Sequence, residues 1–149
     1  MFATELIDVV IIGNGYASDE ELAVMAQINR SQVEFSFTYV DEPTALAKKI
    51  VEEEQHYRRG DITNEMNRST QVGVKYQAEA NSPYQNQQIF ERGDIVIGND
   101  TFGKYKNELQ IVLEPHRDTR KNLVGKILSE ELVLLDYIEP WSKFKLISN

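Results

Sequence analysis

The clearest alternation of apolar and polar residues lies between residues 90 and 115. Apolar side chains recur at every second position in two segments, 94–97 and 108–114. Strict alternation with a period of two is typical of strands that bury one face. Between the two segments, Asn99 and Gly103 are residue types that favour turns. The pattern therefore predicts a β-hairpin whose apolar face is covered by the rest of the chain.

The first forty residues predict a different arrangement. Residues 6–12 form an almost continuous apolar run, which is typical of a strand buried on both faces. Ser18 then has the character of a helix N-cap and Glu21 completes a capping box, so a helix is predicted over residues 19–27. Residues 33–40 predict a second strand. Strand, helix and strand make a βαβ unit, which belongs to a parallel sheet and cannot bury both of its faces alone. We therefore expect the tail of an α/β domain whose earlier part is missing or supplied elsewhere.

Beyond residue 43 the pattern becomes mainly β. One helix is predicted over residues 44–54, and residues 55–70 read as a polar, irregular loop. Further strands, all short and apolar, are predicted at residues 72–76, 123–128, 132–138 and 144–147, with 132–138 pairing with 123–128. Five or six strands at this spacing predict a small antiparallel barrel or sandwich.

Composition narrows the class of protein. A length of 149 residues suits one ordinary domain, and 24 acidic against 16 basic residues give a net charge of −8. That charge argues against nucleic acid or an anionic membrane as a partner. The absence of cysteine excludes disulfides and thiolate metal sites, and His56 and His116 do not form a metal-binding pattern. We expect no cofactor, no metal and a cytoplasmic location.

An oxyanion site is the first chemical hypothesis. Arg58, Arg59 and Arg68 lie within eleven positions of a polar segment, and Ser69 adds a hydroxyl group. Arginine forks match phosphate and carboxylate oxygens. The alternative is that these arginines are surface residues paired with nearby acids such as Asp61. The residues alone leave both interpretations open.

Other polar residues are weaker candidates. Asn14 and Tyr16 follow the first predicted strand, where residues of parallel sheets commonly build active sites, although Asn and Gly also favour turns. Glu108 and Gln110 share the polar face of a predicted strand and could line a pocket, but a solvated face is the expected interpretation.

Six stretches also carry a resemblance to a known family. They are IIGNGYAS at residues 11–18, HYRRGD at 56–61, NRST at 67–70, RGDIVIGNDTFGKYKNELQI at 92–111, NLVGKI at 122–127 and LLDYIEPWSKFKL at 134–146. Their order and spacing resemble the C-terminal part of the bacterial 6-phospho-N-acetylmuramidases. The resemblance covers nearly the whole chain.

The resemblance implies a fold and an activity. Members combine an N-terminal TIM barrel with a cyclophilin-like β-barrel domain, and they cleave the β-linkage of an N-acetylmuramic acid 6-phosphate disaccharide during cytoplasmic recycling of cell-wall fragments. The fold expected here is therefore mainly β. It comprises a terminal βαβ remnant of the TIM barrel in residues 1–45 and a cyclophilin-like small β-barrel in residues 46–149.

The resemblance also implies site residues. The catalytic acids of the family are expected on early barrel strands that this chain does not contain, so no catalytic residue is assigned. Asn14, Arg59, Asp61, Arg68 and Ser69 are expected to contact substrate or its phosphate. The implied partners are a phosphorylated amino-sugar disaccharide and either a missing TIM-barrel half or a second copy of the chain.

Two functions remain open at this point. The chain is either the part of a glycoside hydrolase that completes the substrate pocket, inactive alone, or a non-catalytic β-barrel module that binds a ligand or another protein.

Overall fold

A mainly β fold is confirmed by the computed structural model, which describes residues 9, 11, 13, 15–26, 31–61, 63–84 and 89–149. In these ranges seven strands form one sheet in the order β2-β7-β1-β6-β4-β5-β3. The strands are β1 Gln32–Tyr39, β2 His56–Tyr57, β3 Met66–Ser69, β4 Asp94–Gly98, β5 Leu109–Val112, β6 Lys121–Ile127 and β7 Lys143–Ser148. Of the pairings between these strands, β1 with β7 is parallel and the others are antiparallel.

The helices of the described ranges are short. They are α1 Asp19–Ala26, α2 Ala45–Lys48, which continues as the π-helical turn Lys49–Glu53, and α3 Thr70–Lys75, together with two 3₁₀ helices at Asp100–Tyr105 and Ser129–Tyr137. We name the last two the turn helix and the C-terminal 3₁₀ helix. None of the helices in these ranges has both the length and the apolar character needed to cross a bilayer.

The sheet curves until its two edge strands approach each other. The backbone N–H of Arg59, just after β2, donates to the carbonyl oxygen of Arg68 in β3 over 2.8 Å. His56 and Ser69 side chains also meet across this gap, with Nδ1 and Oγ 3.1 Å apart. The result is a nearly closed, barrel-like sheet around an apolar core.

The predicted hairpin is present as β4, the turn helix and β5. Ile95 pairs with Ile111 and Ile97 pairs with Leu109, and all four fill the barrel interior. The outer face of these strands is also buried, so the expected solvated face is wrong. Its apolar residues form a second cluster with neighbours on β6 and the preceding segment, namely Phe90, Val96, Val112 and Leu123.

Strand β1 belongs to the centre of this sheet. It pairs with β6 on one side and with β7 on the other, and its Phe35 and Phe37 are 0% exposed in the barrel core. The assignment of residues 33–40 to a separate βαβ unit is therefore wrong, since β1 completes the barrel. The predicted division between residues 45 and 46 separates β1 from the sheet that contains it.

The N-terminal helix is confirmed in its local chemistry. Ser18 Oγ accepts a bond from the Glu21 backbone N–H over 3.2 Å, and Glu21 Oε2 accepts from the Ser18 backbone N–H over 2.8 Å. This reciprocal pair is the predicted capping box and it precedes α1. The strand predicted over residues 6–12 falls almost entirely outside the described residues.

Two predicted strands are helices instead. Residues 72–76 fall largely in α3, which packs so closely on β5 that a Cβ at Gly73 would lie 3.0 Å from the Glu108 backbone nitrogen. Residues 132–138 belong mainly to the C-terminal 3₁₀ helix. They do not pair with β6, because β4 and β1 already occupy both of its edges. The predicted loop 55–70 also contains β2 and β3, whose pairing partners are distant in sequence.

Four buried asparagines fix the loops around the hairpin turn. Asn81, Asn99, Asn107 and Asn122 are each at most 9% exposed, and we name them the asparagine network. Asn122 Nδ2 donates to Asn81 Oδ1 over 3.0 Å, and its Oδ1 accepts from Asn99 Nδ2 over 3.2 Å. Asn81 Nδ2 in turn donates to Asn107 Oδ1 over 3.0 Å. Residues 76–84, the turn and the start of β6 are thereby held together.

Removing one member of the network should destabilise the fold. Asn122→Ala would leave Asn81 Oδ1 and Asn99 Nδ2 without this partner inside the protein. We expect the free energy of unfolding to fall by about 2–4 kcal/mol, measured by urea denaturation. Asn64→Ala, at an exposed asparagine, is the control and should change it by less than about 0.5 kcal/mol. Equal effects of the two substitutions would contradict a stabilising role for the network.

His56 is a buried neutral base. Its ring stacks on Phe144 with centroids 5.1 Å apart, and its Nε2 lies 3.2 Å from the carbonyl oxygen of Val51. A carbonyl only accepts, so Nε2 carries the proton and Nδ1 accepts from the Ser69 hydroxyl. Burial lowers the pKa of His56 to about 4.

This histidine should make stability fall in mild acid. The unfolded chain binds a proton near the ordinary pKa of 6.5, whereas folded His56 resists protonation down to about 4. From about pH 7 to pH 5 the contribution of His56 to the free energy of unfolding should therefore decrease by about 2 kcal/mol. Urea denaturation at both pH values should show less acid loss for His56→Gln than for the wild type. His116→Gln should keep the wild-type loss, and an unchanged loss in His56→Gln would contradict the prediction.

Candidate functional site

A polar cleft of about 440 Å³ lies on the outer face of β3 and β5. Its floor comes from these strands, one wall from the turn helix and the other from the loop before β6. We name it the basic cleft, and it is lined by Thr63, Glu65, Met66, Arg68, Phe102, Tyr105, Gln110, His116, Arg117, Asp118, Arg120 and Lys121. Four of these residues are lysine or arginine and two are acidic. The lining is thus cationic in a chain whose net charge is −8.

Lys121 is the most deeply buried cation of the cleft, with a side chain only 2% exposed. His116 Nδ1 lies 2.9 Å from the Glu114 carbonyl, so Nδ1 holds the proton and Nε2 accepts from Lys121 Nζ over 3.0 Å. The carboxylate of Asp118 is 3.7 Å from Nζ and Met66 Sδ is 3.6 Å away. Burial lowers the pKa of the Lys121 ammonium. The contacts to Asp118 and Met66 are long, so they hold Nζ more weakly than the bond to His116 does.

Gln110 supplies a hydrogen-bond acceptor to the cleft, which complements the donors of its lysine and arginine side chains. It is 2% exposed and pairs with Arg68 across β5 and β3, on the face of the sheet that bears the cleft. Its Nε2 donates to Glu108 over 2.7 Å, while its Oε1 is buried without a hydrogen-bond partner. A buried acceptor without a partner costs about 1–3 kcal/mol. The amide oxygen is therefore suited to accept a hydrogen bond from a ligand in the cleft.

Arg68 lies on the floor of the cleft, and its guanidinium group is already hydrogen-bonded. Nε and Nη2 donate to the two carboxylate oxygens of Glu108 over 2.7 Å and 3.0 Å. Its guanidinium carbon lies 4.5 Å from the centre of the Tyr105 ring. Glu108 is 1% exposed, so this pair is a structural element that shapes the cleft as well as lining it.

The structure brings together three of the five predicted site residues. Arg59 Nε lies 2.7 Å from Asp61 Oδ1, and Asp61 Oδ2 lies 3.5 Å from Arg68 Nη1. Ser69 is on the opposite face of β3 from Arg68, where it is 1% exposed and bonded to His56, so the structure does not bring it into the basic cleft. Asn14 lies outside the described residues. The role of the remaining three in substrate binding stays a prediction.

Sequence analysis missed the loop that forms the second wall. Arg117, Arg120 and Lys121 lie in a segment interpreted as a charged loop, and it is denser in cations than residues 58–68. Arg120 is fixed by two bonds of 2.8 Å to Asp118 and lies 4.6 Å from the centre of the Phe102 ring. The high density of cationic residues in this loop could have indicated an anion site. The pairing of Arg120 with Asp118, which orders the loop, is visible only in the structure.

The comparisons with known proteins identify the family. The family model described as 6-phospho-N-acetylmuramidase, C-terminal, matches residues 33–147. The chain belongs to this family. The match begins at β1, in agreement with the place of that strand in the barrel.

Solved structures give further relatives of this muramidase-family domain. A crystal structure of an uncharacterised B. cereus protein is 48% identical, with a TM-score of 0.88, and the alignment covers 98% of this chain and 42% of that one. A conserved Enterococcus faecalis protein of unknown function is 20% identical, with a TM-score of 0.62, and the alignment covers 78% and 30% of the two chains, which shows the fold alone. The chain thus spans less than half the length of either. The search of curated proteins finds no match.

Metal chemistry has no visible basis in the residues described. Between residues 9 and 149, leaving aside the undescribed positions, no group of three or more His, Asp or Glu side chains is arranged to hold a metal ion.

The buried pair in this cleft can be tested by stability. Arg68→Leu should lower the free energy of unfolding by about 3–5 kcal/mol, because it leaves the Glu108 carboxylate buried without its partner. The double variant Arg68→Leu, Glu108→Leu should recover most of that loss, since no uncompensated charge remains. Urea denaturation measures both. A single variant as stable as the wild type would show that the pair is not structural.

Proposed function

We propose that this chain completes the substrate pocket of a glycoside hydrolase that acts on an N-acetylmuramic acid 6-phosphate disaccharide, and that the basic cleft recognises the phosphate. The membership of the 6-phospho-N-acetylmuramidase C-terminal family supports the class of substrate. The observation that carries the proposal is the buried ammonium of Lys121 in a cationic cleft, whose contacts to Asp118 and Met66 are long enough for a phosphate oxygen to replace them. We place this activity in the cytoplasmic recycling of bacterial cell-wall fragments.

The cleft suits a phosphate group in both charge and geometry. Arg68 lies on its floor, and Arg117, Arg120 and Lys121 lie along the wall formed by the loop before β6. Gln110 Oε1 accepts a hydrogen bond, which a sugar hydroxyl or an amide N–H of the same ligand can supply. A sugar phosphate carries both kinds of group, whereas inorganic phosphate offers chiefly acceptors.

Catalysis requires groups that this cleft does not supply. A glycosidase needs a carboxylic acid whose pKa is raised so that it can protonate the leaving group. Although burial opposes its ionisation, hydrogen bonds from Arg120 hold the pKa of Asp118 below its usual range. Glu108 accepts bonds from Arg68, Thr70 and Gln110 and is likewise committed. We therefore infer that the catalytic acids come from a barrel domain, attached or separate, and that the chain is inactive alone.

Binding measurements test the phosphate assignment. The chain should bind N-acetylmuramic acid 6-phosphate about tenfold more tightly than N-acetylmuramic acid, which keeps the carboxylate and lacks the phosphate. Lys121→Met and Arg120→Ala should each weaken the phosphosugar about fivefold or more, measured by calorimetry or NMR titration. Arg92→Ala, which breaks a surface ion pair with Asp136 away from the cleft, is the matched control and should bind as the wild type.

Two outcomes would contradict the proposal. Equal affinities for the phosphorylated and unphosphorylated sugars would leave the cleft without its assigned role and would favour a non-catalytic interaction module. Hydrolysis of the phosphorylated disaccharide by the chain alone would show that the catalytic groups are within it.

A further inference from the structure

Trp141 occupies a strained and exposed position beside residues 58–60. It is the single tryptophan of the chain, 68% exposed, with a φ of 67°. A bulky residue in this left-handed region costs about 1–3 kcal/mol, and such strain concentrates at functional sites. The backbone bond from Trp141 N–H to the Arg58 carbonyl, 2.8 Å long, holds the conformation. The fold therefore maintains an exposed indole where a small polar residue would be less strained.

The indole lies flat on Gly60. A Cβ at Gly60 would be 2.6 Å from each of Cε2, Cζ2 and Nε1 of Trp141. Equal distances to three atoms place Gly60 over the ring face, and any side chain there would displace the ring. One face of the indole thus packs against the backbone of Gly60. Because the residue is highly exposed, the opposite face is open to solvent. The ring has the geometry of a platform.

Charged groups flank the platform and connect it to the basic cleft. Gly60 lies between Arg59 and Asp61, whose side chains pair over 2.7 Å and are 37% and 48% exposed. Asp61 also reaches Arg68 Nη1 over 3.5 Å, and Arg68 lines the cleft. The Arg59–Asp61 pair therefore connects the backbone beneath the indole to Arg68 in the cleft.

These groups match the two chemical aspects of a pyranose ring. One face of such a ring presents C–H bonds, which pack on an aromatic face, and its edge presents hydroxyl groups that donate and accept hydrogen bonds. Arg59 supplies donors and Asp61 supplies acceptors at the edge of the indole. The flanking charges would not extend an apolar docking patch for a protein, which requires contiguous apolar area.

We propose that Trp141, Arg59 and Asp61 form a subsite for the second sugar of the disaccharide, the one joined to the 6-phosphorylated residue held in the basic cleft. The identity of that sugar rests on the proposed function. The subsite itself recognises a neutral pyranose, so it can be tested without phosphate.

The single tryptophan gives a direct readout. In a ¹H–¹⁵N NMR titration with unphosphorylated N,N′-diacetylchitobiose, a neutral β-linked disaccharide, the indole N–H signal of Trp141 should shift in a saturable way. Inorganic phosphate should leave that signal in place. Trp141→Ala should weaken the disaccharide about tenfold or more, whereas Trp141→Tyr, which keeps an aromatic face, should stay within about threefold of the wild type. Tyr137→Ala, at another exposed aromatic, is the control and should bind normally.

The outcomes separate this inference from the proposed function. An indole signal that does not move with the disaccharide, or unchanged affinity in Trp141→Ala, overturns the subsite whatever the phosphosugar does. A saturable shift together with weak phosphosugar binding supports a sugar platform and contradicts the phosphate role of the cleft. If Trp141→Ala does not fold, the comparison uses Trp141→Tyr and Asp61→Asn. Equal disaccharide affinity for Asp61→Asn and the wild type would then show that Asp61 is not part of the subsite. An indole signal that does not shift with the disaccharide would still overturn the whole subsite.

Discussion

The asparagine network at the end of the hairpin is the constraint on which the rest of the structure depends. The Asn99 backbone N–H donates to the Arg120 carbonyl over 2.8 Å, and Asn99 Nδ2 donates to the Thr119 carbonyl over 3.0 Å. The turn helix and the loop before β6 are therefore fixed to one another through a single residue. Since these two segments are walls of the basic cleft, the bonds that complete the fold also set the spacing of the cations.

The cleft shows how charge is accommodated around this constraint. Glu108 directly precedes β5 with its carboxylate buried, and it accepts hydrogen bonds from Arg68, Thr70 and Gln110. Lys121 lies at the start of β6 with its ammonium buried, and His116 supplies its one short hydrogen bond. The carboxylate is held by short hydrogen bonds, whereas the ammonium makes one short bond and two longer contacts, to Asp118 and Met66.

Much of the fold follows from local signals in the sequence. The β4–β5 hairpin, the Ser18 capping box and the last strand depend on alternation and residue type within a few positions, and all three were predicted. The strands predicted at 72–76 and 132–138 were wrong because short apolar runs suit a helix equally well, and pairing partners decide between them. The cleft was harder to predict. The burial of Lys121 and the engagement of Arg68 by Glu108 join residues that are far apart in sequence, and no local pattern records them.

The parallel pairing of β1 with β7 has a consequence for how the chain reaches this state. Gln32 is opposite Lys143 and Phe37 is opposite Ser148, so an interior strand of the sheet lies beside a strand that is far away along the chain. Contacts of such large sequence separation form slowly, because the loop between them must close before they stabilise anything. During synthesis β1 has one edge without a partner until β7 has emerged. The barrel therefore closes only when β7 is available, and until then the exposed edge of β1 can pair with other chains and cause aggregation.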